Sequence, residues 1–256
     1  MRGGQRVIQT SMTHPVAEWR LRIFENLDST SDLCRSLAVA GEPEGLAVMA
    51  RRQEKGRGRA GREWLSAPGN LFLSVLLRPG GPVREGGLWS LLAAVALADA
   101  VVPLLPDASA LTLKWPNDLL LDGRKLAGIL LDSAADMSGK LDWLVIGFGL
   151  NLAAAPEVPG RAVASLGNAA TPPEEVAEAL LARLDHWRRV RLAEGFAPVR
   201  TAWLSRAHPI GALIKIKPGG EDVDGSFAGL AEDGSLLLHT GGQMRAFAAG
   251  EIVERR

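Results

Sequence analysis

The stretch Gly56-Arg57-Gly58-Arg59-Ala60-Gly61-Arg62-Glu63-Trp64 is the most distinctive part of the chain. Three glycines alternate with three arginines, so the backbone can approach a ligand closely while several guanidinium groups reach it. From Arg51 to Glu63 there are six basic and two acidic residues, a local charge of +4 in a chain of zero net charge. Such a loop suits an anion that is partly wrapped, above all a phosphate group.

Composition leaves two other interpretations of this loop open: a solvated flexible segment, or an arginine- and glycine-rich segment that binds nucleic acid. The loop is neither a Walker A motif, which needs Gly-Lys-Ser/Thr entering a helix, nor a dinucleotide-binding fingerprint. The 29 basic and 29 acidic residues of the whole chain give no global basic field. That balance argues against nucleic acid as the partner.

Length and cysteine content limit the protein class. A chain of 256 residues predicts one large domain, or one domain with a small second one. Cys34 is the only cysteine, so no disulfide forms within the chain and a reducing, cytoplasmic location is expected. Residues 1–20 lack the apolar run of a secretory signal. The most apolar stretch, Leu88 to Val102, is too short to span a bilayer and predicts a buried helix.

The spacing of apolar residues predicts an α+β fold in two parts. Residues 1–18 show no periodicity and are expected to be an irregular lead-in, and 1–206 are expected to form a mixed-sheet domain with flanking helices. A cluster of N-cap residues at 28–31 and Pro173 mark helix starts, and Asp122-Gly123 marks a hairpin. The predicted strands of this part are Trp19–Leu27, Leu46–Ala50, Leu71–Leu77, Leu111–Trp115, Lys125–Asp132 and Leu141–Phe148.

Residues 207–256 have a different character. Short alternating segments are separated by Gly-Gly or Asp-Gly turns, the pattern of a small β-barrel. From Arg206 to Arg256 there are six basic and seven acidic residues, so this part lacks the positive charge of a nucleic-acid-binding module.

Four further stretches place polar residues or glycines in apolar strands, and each has a structural alternative. Asp28-Ser29-Thr30 is either a ligand-facing turn or a helix N-cap. Lys114-Trp115-Pro116-Asn117-Asp118 offers a cation, an amide and a carboxylate suited to a nucleotide with Mg²⁺, or is an ordinary turn. Lys125, at the start of a strand interrupted by Gly128, neutralises an anion or points into solvent. The alternating glycines of Ile146–Asn151 form a slot for a flat ligand or a bulge.

The order and spacing of these motifs closely resemble the biotin protein ligase family, from about Phe24 to the C-terminus. The resemblance is to the short form of the family without an N-terminal helix-turn-helix domain, so no DNA binding is expected. It implies a class II synthetase-like catalytic domain with a small C-terminal SH3-like β-barrel. It also implies the activity of the family: biotin is adenylated by ATP with release of pyrophosphate, and is then transferred to a lysine of a biotin carboxyl carrier domain of acetyl-CoA carboxylase or a related carboxylase.

The same resemblance implies roles for individual residues. Lys125, Arg59 and Asp118 would be catalytic, with Asp118 the carboxylate linked to Mg²⁺. Residues that would bind ATP are Arg62, Lys114, Trp115, Asn117, Asp118 and Asn151. Residues that would bind biotin or biotinyl-AMP are Ser29, Thr30, Gln53, Gly56, Arg57, Gly58, Arg59, Lys125, Gly128, Gly147 and Gly149.

Some points stay open. Ser31 stands where the family often has asparagine, and its role is undetermined. The oligomeric state is open between a monomer and a homodimer. Rival functions are lipoate ligation or octanoyl transfer on the same architecture, a nucleic-acid-binding module, and a non-catalytic biotin sensor, which Lys125 and Asp118 disfavour.

Overall fold

The computed structural model describes residues 8–13, 18–168, 170–219 and 222–253. These residues form a large mixed sheet with helices on both of its faces and, after it, a smaller antiparallel sheet. The predicted α+β fold class is confirmed.

The large sheet has eight strands in the described chain. They are β1 (Ile8–Thr13), β2 (Glu18–Leu27), β3 (Leu46–Gln53), β4 (Leu71–Leu77), β5 (Leu111–Lys114), β6 (Asp118–Leu121), β7 (Arg124–Ala135) and β8 (Leu141–Leu150). Their spatial order is β1-β2-β3-β4-β8-β7-β6-β5. The pair β2 and β3 is parallel, and the other pairings in this sheet are antiparallel.

Four helices pack around this sheet: α1 (Thr30–Val39), α2 (Gly86–Val101), α3 (Pro173–Glu194) and α4 (Ala197–Leu204). Helix α2 is buried along nearly its whole length, because it lies between the sheet and the pair α3 and α4. The stretch Val83–Leu104 is long and apolar enough to span a bilayer, yet 72% of its most apolar window is buried within the protein. The expectation that this apolar segment is too short to span a bilayer is therefore wrong, because it extends beyond Leu88 and Val102, whereas the prediction of a buried core helix is confirmed.

The two faces of the sheet are covered unequally, and this difference creates space for a site. Strand β4 is buried on both faces: Leu73 and Val75 pack in the main core with α2, whereas Leu76 packs with α1. Helix α1 has only ten residues and covers β3, β4 and part of β8. The remaining part of that face, over β7 and the end of β8, is covered by the glycine–arginine loop.

The smaller sheet comprises β9 (Leu213–Ile216), β10 (Val223–Leu230), β11 (Leu236–Thr240), β12 (Gln243–Phe247) and β13 (Ile252–Val253). The strands are antiparallel in the order β12-β11-β10-β9-β13. Hydrogen bonds that attach this sheet to the large domain include Trp115 Nε1 to Gly234 O at 3.1 Å and Arg200 Nε to Leu230 O at 2.7 Å.

The structure corrects the expected irregular lead-in. Residues 8–13 form β1 and pair antiparallel with β2, from Ile8 opposite Ile23 to Thr13 opposite Glu18. The other lead-in residues before Glu18 lie outside the described ranges. Short edge strands without strict alternation give little periodic signal, and the two-residue β13 was missed for the same reason. The boundary at residue 206 stays a prediction.

Candidate active site

One pocket on the α1 face of the large sheet contains most of the predicted site residues. It lies beneath the glycine–arginine loop and encloses about 1000 Å³ of empty space, counting its open mouth. Its lining includes these predicted residues: Thr30, Gln53, Arg57, Gly58, Arg59, Arg62, Asn117, Asp118, Lys125, Gly128, Gly147, Gly149 and Asn151. Residues from five separate parts of the chain therefore converge on one cleft.

One end of the pocket is a cluster of neutral hydrogen-bonding groups. Gln53 Oε1 accepts from the backbone N–H of Thr30 at 2.8 Å and lies 3.0 Å from Thr30 Oγ1. The hydroxyl of Ser74 lies 2.8 Å from Thr30 Oγ1 and 3.0 Å from Ser31 Oγ. Ser29 is placed differently from the prediction, because its hydroxyl caps α1 by accepting from Asp32 N at 3.3 Å.

The floor of the pocket is made by glycines on adjacent strands. Gly128 and Gly149 face each other across β7 and β8, and Gly147 is two residues away on the same face. The indole of Trp64 lies directly on this floor: a methyl group at Gly149 would lie 2.6 Å from its Cζ2 atom, and one at Gly128 2.9 Å from its Cζ3 atom. The close approach predicted at Gly128 is therefore made by an aromatic ring.

The loop above the floor is a tight hairpin. Trp64 N donates to Gly56 O at 2.8 Å and Gly58 N donates to Arg62 O at 2.7 Å. A side chain at Gly56 would collide with the backbone carbonyl of Trp64, so Gly56 shapes the hairpin from outside the pocket lining. At the tip, Ala60 and Gly61 both have positive φ, at 55° and 71°.

Each loop arginine that faces the pocket bonds to a protein oxygen. Arg57 Nη1 lies 2.7 Å from Asp32 Oδ1 and 3.1 Å from Asp132 Oδ2. Arg59 donates from Nη1 to Asn117 Oδ1 at 2.9 Å and from Nη2 to Gly250 O at 3.3 Å. These bonds to protein oxygens fix the positions of the Arg57 and Arg59 guanidinium groups.

Arg62 connects the loop to the smaller sheet. Its Nη1 donates to both carboxylate oxygens of Glu251 at 2.9 Å. Burial acts to raise the pKa of Glu251, but the hydrogen bond and charge of Arg62, together with Arg161 and Lys114, hold that pKa below its ordinary value. Glu251 is thus an anionic anchor for the loop.

Lys125 lies between the glycine floor and the arginine loop. Its Nζ is 2.6 Å from Asp118 Oδ1 and 5.6 Å from the centre of the Trp64 ring. Burial lowers the pKa of Lys125, an effect that the charge and hydrogen bond of Asp118 oppose and that Arg161 and Lys114 reinforce. A desolvated cation whose partner is a single carboxylate is suited to receive a second anion.

The predicted nucleotide-binding residues divide into two groups. Asn117 and Asn151 line the pocket and are oriented by bonds to the backbone: Asn117 Nδ2 donates to Ile129 O at 2.6 Å, and Asn151 Nδ2 to Ala164 O at 3.0 Å. Lys114 and Trp115 are buried beside the pocket and are not part of its lining. Trp115 instead bonds to Gly234 and joins the two sheets.

Several residues at the site received no role from the sequence, among them Ser31, Trp64, Ser74, Arg161 and Glu251. Trp64 was part of the quoted stretch, and a large aromatic residue directly after the glycine–arginine loop was the available signal. Ser74, a lone polar residue in an otherwise apolar strand, was a second signal. Arg161 and Glu251 line the pocket from a surface connection and from the smaller sheet, and neither has a local pattern that marks it.

Comparison with known proteins agrees with this arrangement. Residues 23–151 match the model of the biotin/lipoate A/B protein ligase family, and residues 210–255 match the biotin protein ligase C-terminal domain. The chain is 37% identical over 234 residues to the biotin–[acetyl-CoA-carboxylase] ligase of Paracoccus denitrificans, covering 88% of this chain and 96% of that relative. The chain belongs to the biotin protein ligase family.

Two further relatives of this family are similar over most of their length. The biotin–[acetyl-CoA-carboxylase] ligase of Mycobacterium tuberculosis is 34% identical over 265 residues, covering 98% of this chain and 96% of the relative. The biotin protein ligase of Aquifex aeolicus, solved in complex with biotin and ATP, superposes with a TM-score of 0.75 at 27% identity, covering 92% and 98% of the two chains. The smaller sheet thus corresponds to the C-terminal domain of biotin protein ligases.

Proposed function

We propose that the pocket binds biotin and ATP side by side, joins them into biotinyl-AMP, and then passes biotin to a carrier lysine. Membership of the family makes the chain an ATP-dependent biotin–[acetyl-CoA-carboxylase] ligase. The observation that supports this use of the pocket is the position of Lys125, a partly buried cation between a neutral hydrogen-bonding end and an arginine loop.

The neutral end suits the ureido head of biotin. Thr30, Ser31 and Gln53 present hydroxyl and amide groups at the bottom of the cleft. A buried urea needs such partners, because each buried polar group left unpaired costs about 1–3 kcal/mol. The glycine floor then accommodates the ring and the valeryl chain, with Trp64 as its neighbour, and leads the carboxylate toward Lys125.

The charged end suits the first chemical step, in which two anions meet. The biotin carboxylate oxygen attacks the α-phosphorus of ATP, the bond to the β-phosphate oxygen breaks, and pyrophosphate leaves. Lys125 offsets the repulsion between carboxylate and phosphate, and Arg57, Arg59 and Arg62 stabilise charge on the phosphate oxygens. We assign Asn117 and Asn151 to the nucleotide because their amides line that side of the pocket.

In the second step the amine of the carrier lysine attacks the acyl carbon of biotinyl-AMP. The bond to the phosphate oxygen breaks, AMP leaves, and the amine loses a proton. We assign the orientation or deprotonation of this amine to Asp118, the pocket-lining carboxylate that is paired with Lys125. Asp118→Asn would then slow transfer from preformed biotinyl-AMP, and an unchanged transfer rate would contradict this role.

A divalent cation fits the pocket when ATP supplies most of its ligands. Asp118, which is paired with Lys125, would supply a protein carboxylate for Mg²⁺, which typically uses one or two carboxylates alongside phosphate oxygens. In the described chain, no three His, Cys, Asp or Glu side chains are grouped to hold a metal by themselves. Mg²⁺ bound there would neutralise phosphate charge.

The acceptor protein, the domain boundary and the cellular location are proposed on the basis of the same ligase function. We propose that the acceptor is the biotin carboxyl carrier domain of acetyl-CoA carboxylase and that the two units divide near residue 206. A cytoplasmic location is supported by the presence of a single cysteine, Cys34, which leaves no disulfide within the chain. This thiol is buried in α1, and burial raises its pKa to about 12. DNA and membranes are not proposed as partners, and a homodimer stays an open alternative to a monomer.

The experiment that tests this function also tests the closest alternative, lipoate ligation. The protein is mixed with ATP, Mg²⁺ and either biotin or lipoate, and pyrophosphate release is measured. We expect release with biotin alone. Release with lipoate and none with biotin would favour the lipoate branch of the family, and no release with either, from folded protein, would contradict the proposed chemistry.

A further inference from the structure

Ser74 is a buried polar residue behind the neutral end of the pocket. It lies in the middle of β4, is completely inaccessible to solvent, and is not part of the pocket lining. Its hydroxyl nevertheless contacts two hydroxyls that do line the pocket, those of Thr30 and Ser31. Ser74 therefore acts on a ligand only through these two residues.

The direction of each hydrogen bond in this cluster can be derived from one fixed donor. The backbone N–H of Thr30 can only donate, so the Gln53 atom 2.8 Å away must be the carbonyl oxygen Oε1. Because that oxygen can only accept, the hydroxyl of Thr30, 3.0 Å away, must donate to it. The single hydroxyl hydrogen of Thr30 is then used.

The same reasoning applies to the next two hydroxyl groups in this hydrogen-bonded series, those of Ser74 and Ser31. Thr30 Oγ1 must accept at its 2.8 Å contact with Ser74, so Ser74 is the donor there. The hydrogen of Ser74 is now used as well, so Ser31 must donate at the 3.0 Å contact with Ser74. All three hydroxyl hydrogens point away from the ligand, and Thr30 and Ser31 present lone pairs to the pocket.

Gly147 keeps this arrangement possible. A methyl group built there would lie 2.5 Å from Ser31 Oγ and 3.4 Å from Ser74 Oγ. A side chain at this position would displace the Ser31 hydroxyl from its contact with Ser74. The missing side chain of Gly147 thus makes room for the hydroxyl cluster in addition to forming the floor.

We propose that Ser74 is a positioning residue that fixes Ser31 as a hydrogen-bond acceptor beside Thr30, whose hydroxyl hydrogen Gln53 already takes, so that the pocket requires N–H donors from the ligand head. This inference rests on the proposed binding of biotin at this end. A cyclic urea offers two N–H groups and a carbonyl, whereas the dithiolane head of lipoate and an alkyl chain offer none. A site with buried groups committed to hydrogen bonding strongly rejects a ligand that cannot pair them.

The test compares Ser74→Ala, Ser31→Ala and the double variant, using biotin alone as the ligand in calorimetric titrations. Without Ser74 the hydroxyl of Ser31 is free to turn its hydrogen into the pocket. We expect each single substitution to raise the Kd for biotin about ten-fold. Because Ser74 acts through Ser31, the double variant should bind within about two-fold of Ser31→Ala. At saturating biotin, kcat of Ser74→Ala should stay within about two-fold of the original protein.

Controls separate this role from simple structural damage. Ser235→Ala removes another buried serine, in the smaller sheet, and should leave the Kd for biotin unchanged. Ser74→Cys keeps the size and a weak donor and should bind biotin more tightly than Ser74→Ala. If Ser74→Ala does not fold, Ser74→Cys and its combination with Ser31→Ala carry the same comparison.

Two results would overturn the proposal: an unchanged Kd for biotin in folded Ser74→Ala, or additive losses that reach about 100-fold in the double variant. Failure of the proposed function looks different, because the unsubstituted protein would then bind no biotin and release no pyrophosphate with it.

Discussion

The two ends of the pocket differ in how they are prepared for a ligand. At the neutral end, Thr30, Ser31, Gln53 and Ser74 bond to one another and leave acceptors facing the cleft. At the charged end, by contrast, the cations of the loop and of β7 are bonded to protein anions or carbonyls that substrate phosphates must replace or share. The neutral end is preorganised for its ligand, whereas the charged end is held by exchangeable partners.

This contrast predicts different kinetic signatures. Changes at the neutral end should alter biotin affinity, because those contacts are the same before and during the reaction. Changes at the charged end should alter the chemical step or the retention of its intermediate, because those contacts strengthen only when phosphate charge develops.

The largest effect is expected for Lys125→Ala. Removing this partly buried cation leaves carboxylate and phosphate to repel each other, and we expect kcat for adenylation to fall about 10³-fold, as for loss of a preorganised electrostatic group. Pyrophosphate release at saturating biotin and ATP measures this. The matched control is Lys140→Ala, an exposed lysine directly before β8, which should leave the rate unchanged. A normal kcat with a raised KM would place Lys125 in ground-state binding instead.

Gly149→Ala should have the next largest effect, on biotin binding. The added methyl would lie within 2.7 Å of Trp64 Nε1. Either the indole is displaced from the glycine floor, or the methyl group occupies space that the ligand needs. We expect the KM for biotin to rise about 100-fold, since a displacement of about 1 Å can have that effect. Gly87→Ala, at an open position in α2, is the matched control. A KM that stays within two-fold would show that the ligand does not use the floor.

Arg59→Ala should affect the intermediate. Arg59 ties the loop to Asn117 and to Gly250 O, so its loss loosens the cover while the fold is kept. We expect release of biotinyl-AMP to accelerate about ten-fold, measured by filtration after adenylation without a carrier. Arg84→Ala, an exposed arginine before α2, serves as control. Unchanged retention in Arg59→Ala would refute the role of this arginine in covering the adenylate.

Glu251→Gln should have the smallest effect, on stability. The pKa of Glu251 is lowered in the folded protein, so ionisation stabilises the fold at neutral pH, and this contribution is lost as pH falls through the lowered pKa. Because the pair with Arg62 is partly exposed, the free energy of unfolding should fall by less than about 1 kcal/mol at pH 7. Urea unfolding at several pH values measures this. A difference that grows toward low pH would have the wrong sign.

The sequence predicted the parts of this molecule that depend on local pattern. Strand β4 was placed with its observed bounds because an apolar run between turn residues is unambiguous. The glycines of β7 and β8 and the arginine loop were identified as ligand-facing, and Thr30, Gln53 and Lys125 do line one pocket.

The missed features depend on contacts between distant residues. Glu251 bonds to Arg62 across 189 positions, and no local spacing indicates that the smaller sheet reaches the pocket. The predicted Trp115 is in the family motif, yet its side chain turns away from the pocket to Gly234. Packing against distant residues decides on which side of the sheet a side chain lies. For a single polar or aromatic residue, the local sequence pattern does not specify that side.

The most direct measurement of the central claim is biotin transfer to a carrier. The folded protein is incubated with ATP, Mg²⁺, biotin and the biotin carboxyl carrier domain of acetyl-CoA carboxylase. The mass of the carrier domain is then measured by mass spectrometry. The account predicts that the carrier gains one biotinyl group on one lysine, that the gain requires both ATP and biotin, and that Lys125→Ala abolishes it on the same time scale. No mass gain on the carrier, or an equal gain with Lys125→Ala, would contradict the account.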